Sequence, residues 1–294
     1  MSTRIPWFTI TLSGIQVAAF MYDVSRLWND CGIAVGLFGP GIPDLCSDIV
    51  YCPTKRQEWW RHVTHCFAHD GWAHLVGNLM LNFIFGIPIE RAYGSLQTGT
   101  LFFAGVLSAS LGCSVLRPEL AGAGGSAGLG AFMAALLTMR DIKMRKTKLL
   151  AAYGIIEDVI RLILFGFNGV SESDMDLAKM VKGSDFLAHE IGIITGFLFG
   201  LYMIGYMEAR SWKGILFRVS FAIWIMLFSA AIFMNIFHSE WFPPETAPSC
   251  KSICYFFEES TSPGKPADLW INIHKKILKE LATTRKELHD IFNL

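Results

Sequence analysis

Charge is what this chain has least of. Only 17% of its 294 residues are Asp, Glu, Lys or Arg, while 52% are hydrophobic. A soluble domain of that length carries more charge on its surface, so a water-soluble globule is a poor description. Acidic and basic residues balance at 25 each. Net charge therefore says nothing about partners, and no nucleic-acid partner is expected. Internal repeats are missing. So is the His-Glu-x-x-His pattern of helical zinc proteases.

What the chain has instead is long apolar blocks. They run over 7–22, 63–89, 100–116, 124–139, 149–167, 186–207 and 215–237. A helix needs about 20 mostly apolar residues to cross the hydrocarbon, so the pattern predicts an all-α polytopic membrane protein. The first block is the shortest. Arg4 and the apolar stretch after it partly fit a cleaved signal peptide, but polar Gln16 and the lack of a small-residue cleavage site favour a retained helix.

Orientation follows from basic residues in short connections. Arg140, Lys143, Arg145, Lys146 and Lys148 follow the fourth block, which puts that connection in the cytoplasm. Alternation then places the N-terminus inside, a first loop of about 23–61 outside and the C-terminal tail outside. The expected location is the secretory pathway or plasma membrane. Cys31, Cys46, Cys52, Cys250 and Cys254 all fall on the outer side, where an oxidising lumen permits disulfides of unassigned pairing. Cys66 and Cys113 sit in or near spans and read as packing residues. Residues 1–240 form the expected transmembrane domain. The Pro- and Ser-rich stretch 241–268 reads as a linker, and 269–294 as an amphipathic helix outside the bilayer, with Ile273, Ile277, Leu281, Leu288 and Ile291 at helical spacing.

Polar groups inside spans are costly and need a reason. The fourth block opens as AGAGGSAGLGAF, with Gly124, Gly125 and Gly128 around Ser126. Such glycines allow a tight helix entry and a close neighbour. The serine alone also suits a helix N-cap. In the sixth block, HEIGIITGFLFG sets His189, Gly192, Gly196 and Gly200 near one face. A helix with that stripe can approach another to backbone contact. If the partner is the fourth helix, a base comes within reach of a hydroxyl, which is the minimum equipment for nucleophilic catalysis. Glu190 is turned about 100° away and is not expected to complete a triad.

The second block contains His74 and Asn78 one turn apart, two side chains able to stabilise a developing oxyanion with the Ser126 N–H. Interhelical hydrogen bonding is the plainer use of the same residues. His62, His65 and His69 suggest a metal site, but no Cys or carboxylate cluster on another span completes it, and no metal or cofactor is expected. In the fifth block, Glu157, Asp158 and Arg161 interrupt the apolar run. Glu157 and Arg161 are spaced to pair with each other; an ion or proton pathway is the alternative.

Taken in order, these residues resemble the rhomboid intramembrane proteases, the animal secretase-type branch in particular, from about Trp60 through Leu201. Trp60–Arg61 resembles the family's first-loop motif. His69, His74 and Asn78 match its second-helix pattern HxxxxHxxxN, and FGIPIERAYG with Glu90 and Gly94 is similar to the turn that follows. Gly124, Ser126 and His189 with its glycines match the catalytic motifs. The resemblance implies a six-helix core with a seventh, C-terminal transmembrane helix. It also implies a Ser126/His189 dyad cleaving single-pass membrane proteins within or next to their transmembrane segments, without cofactor. His69, Gly124, Gly128, Gly192 and Gly196 would support the site. Two positions depart from the family pattern: Ala127 stands where a glycine is usual, and Gly130 where a tyrosine commonly packs on the histidine. A rhomboid-like protein that escorts membrane clients without cutting them is the competing expectation.

Overall fold

A computed structural model of the protein describes residues 5–31, 35, 47–118, 121–138, 187–200 and 212–237. The fifth block with Glu157, Asp158 and Arg161, the basic connection before it, and the linker and tail helix lie outside the described residues.

Six long helices carry the described fold: α1 Trp7–Cys31, α2 Trp72–Tyr93, α3 Ser95–Leu116, α4 Ser126–Thr138, α5 Leu187–Gly200 and α6 Trp212–Phe237. Of these, α2, α3 and α6 are long and apolar enough to cross a bilayer, while α4 and α5 are shorter apolar helices. Two boundaries differ from the sequence reading. α1 continues beyond Tyr22 to Cys31, because Asp23 and Arg26 end the apolar run without ending the helix. Asp23 is itself buried and accepts a hydrogen bond from Ser47 (3.3 Å). The second block is not one span: 61–67 forms short helical turns, and the spanning helix begins only at Trp72.

Within α2 the helix widens into a π turn at Asn82–Gly86, just before Pro88. Proline cannot donate to the carbonyl four residues back and its ring crowds that position, so the ladder must adjust there. Gly86 sits on the inside of the adjustment; a Cβ there would come within 2.9 Å of Thr9 Oγ1 and 3.3 Å of Phe132. The bend thus seats α2 against both α1 and α4.

α1 is built into the bundle by polar contacts. Buried Gln16 donates to Cys66 O (3.2 Å), and Asn82 donates to Ser13 Oγ (2.9 Å). At its start, the first N–H groups lack partners within the helix. The buried Glu90 carboxylate supplies them, accepting from the amides of Phe8 (2.7 Å) and Thr9 (2.9 Å) and from the Thr9 hydroxyl (2.7 Å). A negative group at a helix N-terminus also meets the favourable end of the helix dipole.

α3 lies at the centre, with Leu101, Phe102 and Val106 fully buried against Phe132 of α4 and its neighbours. α6 packs on its outer side. Trp224 Nε1 donates to Ser108 Oγ (3.0 Å), and Asn235 Oδ1 accepts from Ser114 Oγ (2.9 Å) and Arg56 (3.2 Å). The turns before α2 are held by Arg61. Its fully buried guanidinium donates to Val50 O (2.8 Å), Ser47 O and Glu58 (2.6 Å).

Candidate active site

The extended segment 121–125 positions Ser126. Gly122 and Tyr51 exchange a pair of backbone hydrogen bonds (3.0 Å each), and the Gly124 amide donates to His65 O (2.8 Å). Gly124 has φ 105°, a backbone conformation that disfavours a Cβ. Space forbids one as well, since a Cβ there would lie 2.8 Å from His74. Gly125 O then accepts from Leu129 N (3.2 Å), so the cap position falls on Gly125 and Ser126 is the first residue of α4. The N-cap use of the serine is therefore displaced by one residue. At such a helix start the N–H groups have no intrahelical acceptor and point outward. Ser126 is half-buried and lines a cavity with Tyr51, His65, Ser110, Cys113 and Ala188.

α5 crosses α4 at backbone contact. A Cβ on Gly192 would overlap Ala127 O, and one on Gly196 would overlap Ala131 O. Gly128, on another side of α4, lies against the Phe102 ring of α3. His189 is half-buried in the first turn of α5, next to the cavity-lining Ala188. Its carbonyl lies 3.3 Å from where a Cβ of Gly130 would stand. Ser126 and His189 thus occupy the first turns of two helices that touch, and Glu190 is exposed.

The second-helix residues converge on the same segment. The Cε1–Nε2 edge of His74 and the Nδ2 of Asn78 lie 2.8, 2.9 and 3.8 Å from the Cβ position of Gly124. Asn78 is 2% exposed and its Nδ2 has no hydrogen-bond partner among the described residues. A buried donor left unsatisfied is costly unless something completes it. A carbonyl oxygen carrying negative charge would do so.

The outer histidines are used separately. His62 Nδ1 pairs with Ser110 Oγ (2.8 Å), His65 Nδ1 donates to Arg61 O (3.0 Å) and His69 Nδ1 donates to Phe67 O (3.1 Å). No group of three potential metal ligands occurs among the described residues. These rings precede the α2 span. Burial pushes His62 and His65 down to about 4, with nearby positive groups adding to the effect at His62. Burial, and then the neighbouring His74, push His69 down to about 3.

Two residues of the region escaped the sequence reading. Asp70 bonds His74 Nδ1 at 2.6 Å. The i, i+4 spacing was the available signal, but Asp70 precedes the helix, where that rule is not usually applied. Tyr51 reaches the site from the far end of the outer loop, a non-local pairing that spacing cannot disclose.

Comparison with known proteins follows the same stretch of chain. Residues 56–206 match the Rhomboid domain family. The chain is 30% identical over 242 residues to Rhomboid-related protein 2 of Mus musculus, covering 80% of this chain and 76% of that protein. It is 31% identical over 151 residues to Rhomboid protease GluP of Bacillus subtilis (strain 168), covering 49% of this chain and 28% of that one. It is also 32% identical over 133 residues to Inactive rhomboid-related protein 2 of Caenorhabditis elegans, covering 45% and 36%. Matched through both its outer turns and its Ser126 and His189 helices, the chain belongs to the rhomboid family, as an all-α integral membrane protein of several spans.

Proposed function

We propose that this chain is a serine endopeptidase that cleaves single-pass membrane proteins within or next to their transmembrane segments, with Ser126 as nucleophile and His189 as base. The observation that carries the reading is the seating of Ser126. It stands at an open helix start, on a cavity, one residue from the backbone contact with α5, with His74 and the unpartnered Asn78 aimed at the segment just before it. In this mechanism His189 takes the Ser126 proton as the hydroxyl oxygen attacks a substrate carbonyl. The Ser126 N–H, His74 and Asn78 hold the oxyanion. His189 returns the proton to the leaving amine, and water then hydrolyses the acyl-enzyme. The substrate reaches the site through the bilayer as a transmembrane segment. An outer-facing site is supported by the disulfide-bonded Cys52 in the first outer loop, which suits an oxidising compartment, with the N-terminus cytoplasmic and the C-terminus lumenal.

One observation favours a second reading, a client-binding protein of low activity. Gly130 brings the α5 backbone close, to where the family's tyrosine would support the histidine, and one relative is named inactive. Incubation of the purified protein in liposomes with a single-pass substrate separates the two. Fragments that vanish in Ser126→Ala and in His189→Ala support the protease. Binding without fragments in the wild type supports the escort.

A further inference from the structure

Asp70 has no part in the dyad mechanism, yet its Oδ1 is 2.6 Å from His74 Nδ1. A carboxylate only accepts, so Nδ1 carries the hydrogen and donates. The opposite edge of the ring, with Nε2, is the edge that meets Gly124, two residues before Ser126. A neutral imidazole with its proton on Nδ1 has a lone pair at Nε2, and that lone pair repels an oxyanion. The ring donates from Nε2 only when both nitrogens carry a proton. Resting on the protease reading above, we propose that Asp70 is a positioning residue: it fixes the His74 ring with its Nε2 edge turned toward the oxyanion and supplies the negative charge that pairs with the ring when Nε2–H donates.

The surroundings suit that arrangement. A short hydrogen bond between charged partners is stronger than a neutral one and fixes the ring plane. Burial raises the Asp70 carboxyl, but the hydrogen bond and charge of His74 outweigh it and hold the carboxyl below its ordinary value. The other titratable ring against His74 is His69, edge-on at 5.1 Å, and its low value keeps it neutral, so no second cation competes. From the segment just before α4 the facing group is Gly124. From α1, Phe20 meets Trp72 with an uncharged ring (4.8 Å).

The test compares Asp70→Asn, which keeps an acceptor oxygen and loses the charge, with Asp70→Glu, which keeps the charge. Each is made in the full chain in liposomes, beside the wild type and Ser126→Ala. Three readouts are taken: kcat and KM on a single-pass substrate, fluorophosphonate labelling of Ser126, and ring-nitrogen NMR of 15N-histidine protein at neutral pH, with His74 assigned by its loss in His74→Gln. Asp70→Asn should lower kcat about 10–100-fold with KM within about twofold, and the His74 Nδ1–H proton signal should move upfield as its acceptor loses the charge. Asp70→Glu should recover most of both. Wild-type kcat in Asp70→Asn, in a protein that cleaves, overturns the role of Asp70 and leaves the dyad standing. A wild-type His74 with no Nδ1–H signal overturns it whatever the activity. A wild type that neither labels nor cleaves removes the protease reading and the oxyanion with it, and the Asp70–His74 pair is then read from the NMR alone.

Discussion

α3 and α6 are both long apolar helices, and α6 is the more apolar of the two, yet their surroundings are opposite. In the most apolar stretch of α3, 67% of residues are buried; in that of α6, 6% are. Hydrophobicity does not decide which helix is central, because lipid solvates a leucine as well as protein does. Side-chain size does. α3 carries Gly105 against Ala127 and Ala131 of α4, and Gly112 against the Ile191 side chain of α5, so α4 closes to near backbone distance on it and α5 seats a side chain there. α6 presents Ile225, Met226, Leu227 and Phe233 outward and bonds α3 through Trp224 at Ser108 and Asn235 at Ser114. The small residues build the site; the large ones face the bilayer.

That contrast can be broken most directly where α5 meets α4. Gly196→Leu would drive a side chain into Ala131 O, and a backbone atom cannot move aside cheaply. Substrate cleavage in liposomes should fall to background, and the melting temperature should drop by about 5 °C or more. Wild-type melting and cleavage would show that α5 can repack. Next in size is Asn78→Ala, which removes a buried donor without changing the packing of α3. It should lower kcat about 10–100-fold and leave KM within about twofold, the outcome expected of the proposed donor that bonds only the transition state. A change in KM alone would make Asn78 a substrate contact.

Acid should act first on the turns that precede α2. His62, His65 and His69 bind a proton more weakly folded than unfolded, with values of about 4, 4 and 3 against 6.5. Between pH 6.5 and 4 the unfolded chain therefore holds more protons, and stability falls as pH falls. Melting temperature measured from pH 7.5 to 4.5 should decline steadily, and His65→Phe should flatten part of that decline. The smallest effects belong to α6. Trp224→Phe, which loses one hydrogen bond to Ser108, should cost about 0.6 kcal/mol. Met226→Ala should change neither melting nor cleavage, since its side chain faces out.

Much of this was legible in the sequence. Long apolar blocks give helices because backbone polar groups in lipid must be satisfied within the segment, and the Gly192 and Gly196 spacing announced a backbone-close contact before any partner was known. Ser126, His74 and Asn78 stood out for a related reason: polar side chains at membrane depth need a use. What stayed hidden depended on loops and on pairs distant in sequence. Tyr51 and Gly122 meet across the outer loop. The start of α2 at Trp72 was masked by apolar residues in the turns 61–67. The continuation of α1 to Cys31 was masked by charges that a helix tolerates at its wet end. Asp70 is spaced i, i+4 from His74 but stands outside the helix, where that spacing is not usually read.

Glu90 carries a consequence for biosynthesis. The amides it caps lie 81 and 82 residues earlier in the chain. At about 5–20 residues per second of synthesis, α1 emerges roughly 4–16 s before its cap exists. During that interval its first amides must find water or lipid headgroups, which ties its N-terminus to the membrane surface. When α2 arrives, the carboxylate replaces those transient partners in one step, with the Ser95 hydroxyl (2.5 Å) closing the cluster from the start of α3. α1 is thus fixed only after α2 has been made, and the residue that fixes it marks the moment when three separate insertions become one assembly.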